Sequence, residues 1–190
     1  MQQSPPDDSR PARPTPASEL RDAFRDLHGS RLHGFALLLT LGDRHLAARL
    51  AASALAAGAA RAGDLTHPER AAAWLRHHVL QAVGRRSRSG PQRAERRAAL
   101  EALHVDAVAF EALAALGPRE RAAVIAATVE RLDLRDVATI LDLDTGRLER
   151  LLRRARTRAS AAGSGAIGEA GAADGPIATM IRSIAARAMT

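Results

Sequence analysis

An all-α fold, built as two small helical domains joined by a linker, is what this 190-residue chain predicts, on three observations. Apolar residues recur at the three- and four-residue spacing of one helical face, as in Leu148, Leu151, Leu152 and Ala155. No stretch alternates apolar and polar residues as a half-buried strand does. Helix-starting chemistry recurs between the apolar segments: Gly117-Pro118 with Glu120, Asp133 and Asp144.

The segments follow in order. Residues 1–17 carry Pro5, Pro6, Pro11, Pro14 and Pro16 among polar residues, a composition expected to be disordered. Ser18 is the expected cap of the first helix and opens a helical domain over 18–88. Trp74 reads as a core residue of that domain, its indole N–H seeking one carbonyl. The run Arg85-Arg86-Ser87-Arg88-Ser89-Gly90-Pro91 breaks the helical pattern and leads into a linker, 89–105. Its arginines either follow a DNA backbone or form a solvated tether. Within it, Gln92 to His104 has helical character. The second domain, 106–161, begins with a helix holding Val108, Phe110, Leu113 and Leu116. Beyond it, 162–190 is an expected flexible tail, rich in Gly and Ala; Ile177, Met180, Ile181, Ile184 and Ala188 keep helical spacing, as a docking segment or a frayed end.

The end of the second domain is the most specific part. Pro118 fits the first turn of a helix, and Glu120 faces its positive end. Asp133 caps a short helix, Leu134 to Leu141, with Asp136 in its first turn. Asp142 stands at the following turn, where a left-handed backbone is expected, and Asp tolerates that conformation better than most residues. Asp144 caps the next helix. A short helix, a tight turn and a longer basic helix form a helix-turn-helix, whose second helix enters the major groove of DNA. That helix carries Arg147, Arg150, Arg153, Arg154, Arg156 and Arg158 against the single acid Glu149. Like charges on neighbouring turns repel by a few tenths of a kcal/mol per pair, and a polyanion relieves them.

Composition agrees. The net charge is +7, and every basic residue other than His is Arg, because the chain contains no Lys. Arginine's fork suits phosphates and guanine edges, although a GC-rich genome also favours Arg and Ala. Alanine dominates the apolar residues, so each buried position contributes little area and modest stability is expected. With no Cys there are neither disulfides nor thiolate metal sites. No signal-peptide pattern and no span long enough for a bilayer are present, so a cytoplasmic protein with no membrane partner is expected. Without Lys there is no phosphate-loop lysine or Schiff base, and no histidine pair has zinc-site spacing with a nearby acid. The histidines read as surface or half-buried. The sequence predicts no enzyme, no cofactor, no metal and no small-molecule substrate.

Leu116 to Arg156 resembles the promoter-recognition domain, region four, of extracytoplasmic-function sigma factors. The resemblance rests on Leu116, Pro118-Arg119-Glu120-Arg121, Glu130, Leu132, Val137-Ala138, Ile140-Leu141, Gly146, Leu148 and Arg154-Ala155-Arg156. Phe24 to Arg88 is similar to region two, through Leu32, Phe35-Ala36, Leu41-Gly42-Asp43-Arg44, Ala47, Pro68-Glu69-Arg70, Ala73-Trp74-Leu75 and Arg85-Arg86. The resemblance implies a transcription initiation factor whose region four reads promoter DNA through Arg147, Arg150, Arg153, Arg154 and Arg158. Region two would attach the RNA polymerase core and open the promoter.

Region two departs from the family at its polymerase-facing helix. Ala48, Arg49 and Ser53 replace the expected acids, and Ala52 replaces the expected glutamine. Weak polymerase attachment is therefore expected. The alternative is a sigma-like interaction protein that binds an anti-sigma factor or another regulator without opening promoters.

Overall fold

The computed structural model describes residues 16–83, 93–102 and 105–164, and among them every regular element is helical. The basic run from Arg85 to Pro91, His104 and the segment from Ile177 lie outside the described residues.

Helix α1 (Pro16–Leu39) begins two residues before Ser18, which therefore sits in the first turn and not at the cap. Proline suits a first helical position because its missing N–H would have no partner there. The chain reverses after α1 through Leu41 and Gly42, both left-handed (φ 55° and 84°). Gly42 is required twice over, since a Cβ there would also lie 2.3 Å from the Arg96 carbonyl oxygen. Asp43 then caps α2 (Arg44–Ala59), its Oδ1 accepting the Leu46 N–H at 2.9 Å. The family-like run Leu41-Gly42-Asp43-Arg44 is thus a reversal followed by a cap.

Helix α2 buries Ala47, Leu50, Ala51, Ala54 and Gly58. These small residues let it lie close along α1 and against α3 (Pro68–Val83). At Gly58 a Cβ would meet Leu75 at 2.8 Å and Phe24 at 2.9 Å. Trp74 is half-buried and not a core residue: it lies on the rim of α3, stacked on His78 (centroids 5.2 Å apart) with the Arg61 guanidinium 5.6 Å from its ring.

The remaining helices are α4 (Arg93–Glu101), α5 (Ala107–Ala114), α6 (Pro118–Val124), α7 (Leu134–Leu141) and α8 (Thr145–Ser164). Asp106 caps α5 through the Ala109 N–H at 2.8 Å. Phe110 and Leu113 point inward, whereas Val108 is half-buried. α6 widens into a π-turn, Ile125–Val129, which ends before Arg131 at a left-handed φ of 53°.

α3 packs across α7, while α5 and α6 cover the inner face of α8. One continuous core results, running from Phe24 through Phe35, Leu75, Phe110, Ile125 and Ile140 to Ala159.

Arginines bind this core together by a logic that apolar patterning does not reveal. Arg121, buried at 8 % exposure, donates to three carbonyls: Leu39 O (2.6 Å), Leu113 O (2.9 Å) and Leu116 O (2.7 Å). Those oxygens sit at or just beyond the C-terminal ends of α1 and α5, where helix dipoles favour a cation. Burial, with Arg96 second, pushes the Arg121 pKa down to about 10, which leaves it charged at neutral pH. Arg76 of α3 makes a bidentate ion pair with Glu130, donates to Ala72 O at 2.9 Å and lies over the Phe35 ring. Beside it, His77 Nδ1 donates to Ile140 O at 3.0 Å, tying α3 to α7. His28 is buried rather than at the surface, with its ring tilted against Phe24, and burial followed by Arg76 and Arg31 lowers its pKa.

Candidate nucleic-acid interface

The basic helix is set by the turn before it. α7 ends at Leu141, and Asp142 adopts the expected left-handed conformation (φ 52°, ψ 55°). The Leu143 N–H then reaches back to Ala138 O at 3.0 Å, closing the end of α7 in a Schellman-type cap. Arg119 donates to Leu141 O and covers one more free carbonyl of that end. At the start of α7, Asp133 occupies the cap position, but its side chain makes no capping hydrogen bond. Asp144 does cap α8: its Oδ1 accepts the Arg147 N–H at 2.8 Å.

Helix α8 buries Leu148, Leu152, Ala155 and Ala159 against α5 and α6, with Leu151 half-buried at the border. All six arginines from Arg147 to Arg158 are exposed. At 100° per residue, Arg147, Arg150 and Arg154 fall within about 60° of one another, a single stripe away from the core. Arg153 and Arg156 lie on the other flank.

Two of the six meet acids. The Arg147 Nε lies 3.1 Å from Asp144 Oδ2. Arg158 is drawn to α6, where one Nη1 meets both Glu120 oxygens at 3.0 and 2.7 Å. Glu120 also accepts the Gly117 N–H at 3.0 Å. For Arg150, Arg153, Arg154 and Arg156 there is no carboxylate partner among the described residues. A shallow depression at the corner of α7 and α8 is lined by Arg135 and Arg147, by the acids Asp142 and Asp144, and by Thr139 and Thr145.

The second set of expected residues lies on α2. Ala48, Arg49, Ala52 and Ser53 are all exposed, on the face opposite Ala47, Leu50, Ala51 and Ala54. α2 contains no Asp or Glu, so that face offers short side chains edged by Arg44 and Arg49.

The motif Pro118-Arg119-Glu120-Arg121 proves to be structural at each position: proline at the first turn, Arg119 on Leu141 O, Glu120 on Gly117 and Arg158, Arg121 on three carbonyls. Sequence reading missed Arg76, and it named Arg121 and Glu130 only as positions of the family resemblance, without their buried contacts. A signal existed for Arg76, because it falls on the stripe of Ala73, Val79 and Leu80, where a solvated arginine would not be.

Among the described residues no group of His, Asp and Glu is arranged to hold a metal ion, and no helix is long and apolar enough to cross a membrane. No protein-family model matches the chain, and neither a curated protein nor a solved structure is significantly similar to it.

Proposed function

We propose that the chain is a DNA-binding transcription initiation factor of the extracytoplasmic-function sigma type. In this reading α7, the turn at Asp142 and α8 act as a helix-turn-helix, and α8 enters the major groove of promoter DNA. The observation that supports it is the stripe Arg147, Arg150 and Arg154, exposed on a helix whose other face is fixed in the core. Exposed charges held this close cost the free protein a little, and phosphates and guanine edges remove that cost. The helical unit 18–88 would attach the polymerase core, and the unit 106–161 would read DNA, in the cytoplasm and without catalysis.

The test is selection of duplexes from a random pool by the purified protein, followed by titration of the selected site. Replacing Arg147, Arg150 and Arg154 together by Ala should abolish specific binding with helical content intact. Where an arginine meets phosphate, its loss should also flatten the salt dependence by about 0.9 in log–log slope per contact. Unchanged affinity removes α8 from the interface.

One observation favours a second reading, an interaction protein that binds an anti-sigma factor or other regulator. The exposed α2 face carries Arg49 and no acid, whereas the family is expected to present acids to polymerase. Like-charge contacts at an interface can cost several kcal/mol. Polymerase affinity should therefore be weak, and Ala48→Glu with Arg49→Asp should raise it about tenfold, or about 1.4 kcal/mol. Tight binding by the unmodified protein, with no gain from the double change, would favour the ordinary sigma reading.

A further inference from the structure

The first turns of α8 hold an arrangement that exceeds capping. The Asp144 carboxylate is divided between two tasks: Oδ1 accepts the Arg147 backbone N–H at 2.8 Å, and Oδ2 lies 3.1 Å from the Nε of the same residue. Arg147 thus has its Nε side against the carboxylate, as an ion pair without hydrogen-bond alignment, and neither of its terminal nitrogens has a partner among the described residues. A guanidinium paired on that side keeps the two parallel N–H groups of its far end for a planar pair of acceptors. In duplex DNA the matching pair is O6 and N7 of guanine in the major groove.

Two further features bear on the same turn. Gly146 has no side chain where a Cβ would lie 3.5 Å from Asp144 Oδ1 and 3.8 Å from Arg150 Nη1, so the surface stays low between the two arginines. Arg150 reaches back towards that gap, as helical side chains lean towards the N-terminus. Stability does not explain the pair, since Arg147 and Asp144 are 69 % and 61 % exposed and such ion pairs contribute little. An ion pair on the Nε side can still bias where the Arg147 side chain lies, and a long side chain biased before binding loses less freedom when it meets its base.

We propose that Asp144 is a positioning residue that orients Arg147 for bidentate recognition of one guanine in the DNA element read by α8. The proposal rests on the DNA-binding reading of α8 and adds to it the identity of one base and the residue that enforces it.

Asp144→Asn separates the roles. Asparagine caps a helix as well as aspartate does, but its uncharged amide forms no ion pair with the Arg147 guanidinium. The full-length protein is used to select a duplex from a random pool, and binding is then measured with each base at each position. The unmodified protein should prefer guanine at one position by about tenfold. Asp144→Asn should lower that preference by roughly threefold or more while leaving the other positions unchanged. Arg147→Ala should erase the preference at the same position, and Asp144→Ser serves if the Asn variant loses helical content. A preference matrix unaltered by Asp144→Asn, or a loss spread evenly over all positions, overturns the positioning role alone. Failure of the unmodified protein to enrich any duplex overturns the DNA reading and the proposal with it.

Discussion

Removing Glu130 should cost this protein a large part of its stability. The Glu130 side chain is 13 % exposed and that of its partner Arg76 is 4 % exposed, with the two joined by a bidentate pair. In Glu130→Ala the guanidinium keeps only Ala72 O at 2.9 Å and the face of Phe35, with its centre 5.6 Å from the ring centroid. A cation left in such surroundings costs about 3–5 kcal/mol, against total stabilities of about 5–15 kcal/mol for small domains. The pair itself is a different quantity, because both ions lost hydration when the fold formed. Replacing it by apolar side chains, Arg76→Met with Glu130→Leu, should therefore be near neutral. Urea denaturation followed by circular dichroism, with Trp74 fluorescence as a second probe, measures Glu130→Ala and the double variant. Both probes should move together, since α3 and the π-turn share one core. A Glu130→Ala loss below about 1 kcal/mol would refute the claim that Arg76 depends on this carboxylate inside the fold.

Other perturbations test separate parts. Arg121→Leu strips the donors from Leu39 O, Leu113 O and Leu116 O, and at about 1–3 kcal/mol per orphaned group it should lower thermal stability by at least about 3 kcal/mol. Arg121→Lys, which has no fork to span three acceptors, should recover only part of that loss. For His28 the folded pKa lies below the ordinary 6.5, through burial first and then Arg76 and Arg31. The unfolded chain then takes up the proton first, so stability is complete above about pH 6.5, falls as pH drops towards the folded value, and levels off below it. His28→Leu should flatten that part of the profile in urea midpoints compared at pH 7.5 and 5.5, and an unchanged slope would exclude His28 as its source. Gly42→Ala should severely destabilise the chain through its φ of 84° and the 2.3 Å approach to Arg96 O. Asp142→Gly at φ 52° should stay within about 1 kcal/mol of the unmodified protein by denaturant titration. Equal costs for these two would mean that backbone handedness is not what constrains either site.

The sequence by itself determined whatever is written in local chemistry. Helical periodicity gave α8 its buried strip of Leu148, Leu152 and Ala155, and so put Arg147, Arg150 and Arg154 outside. Capping residues located the starts of α6, α7 and α8, and the tolerance of aspartate for a left-handed backbone anticipated Asp142. These features depend on neighbours within four or five residues, which a sequence displays directly. It misjudged Ser18, because the helix starts two residues earlier at Pro16, and Trp74 and His28, whose burial depends on other helices. Only the tertiary structure decided what the arginines do. Arg76 and Arg121 look like members of the same basic population as Arg150, yet they are buried because acceptors 54 and 82 residues away are carried to them by the packing of α3, α6 and α1. Arg158 has the same spacing as the exposed stripe, but the approach of α6 brings it to Glu120. A charged side chain is core or surface according to whether distant polar groups arrive to offset its lost hydration, and periodicity within a helix holds no record of that arrival.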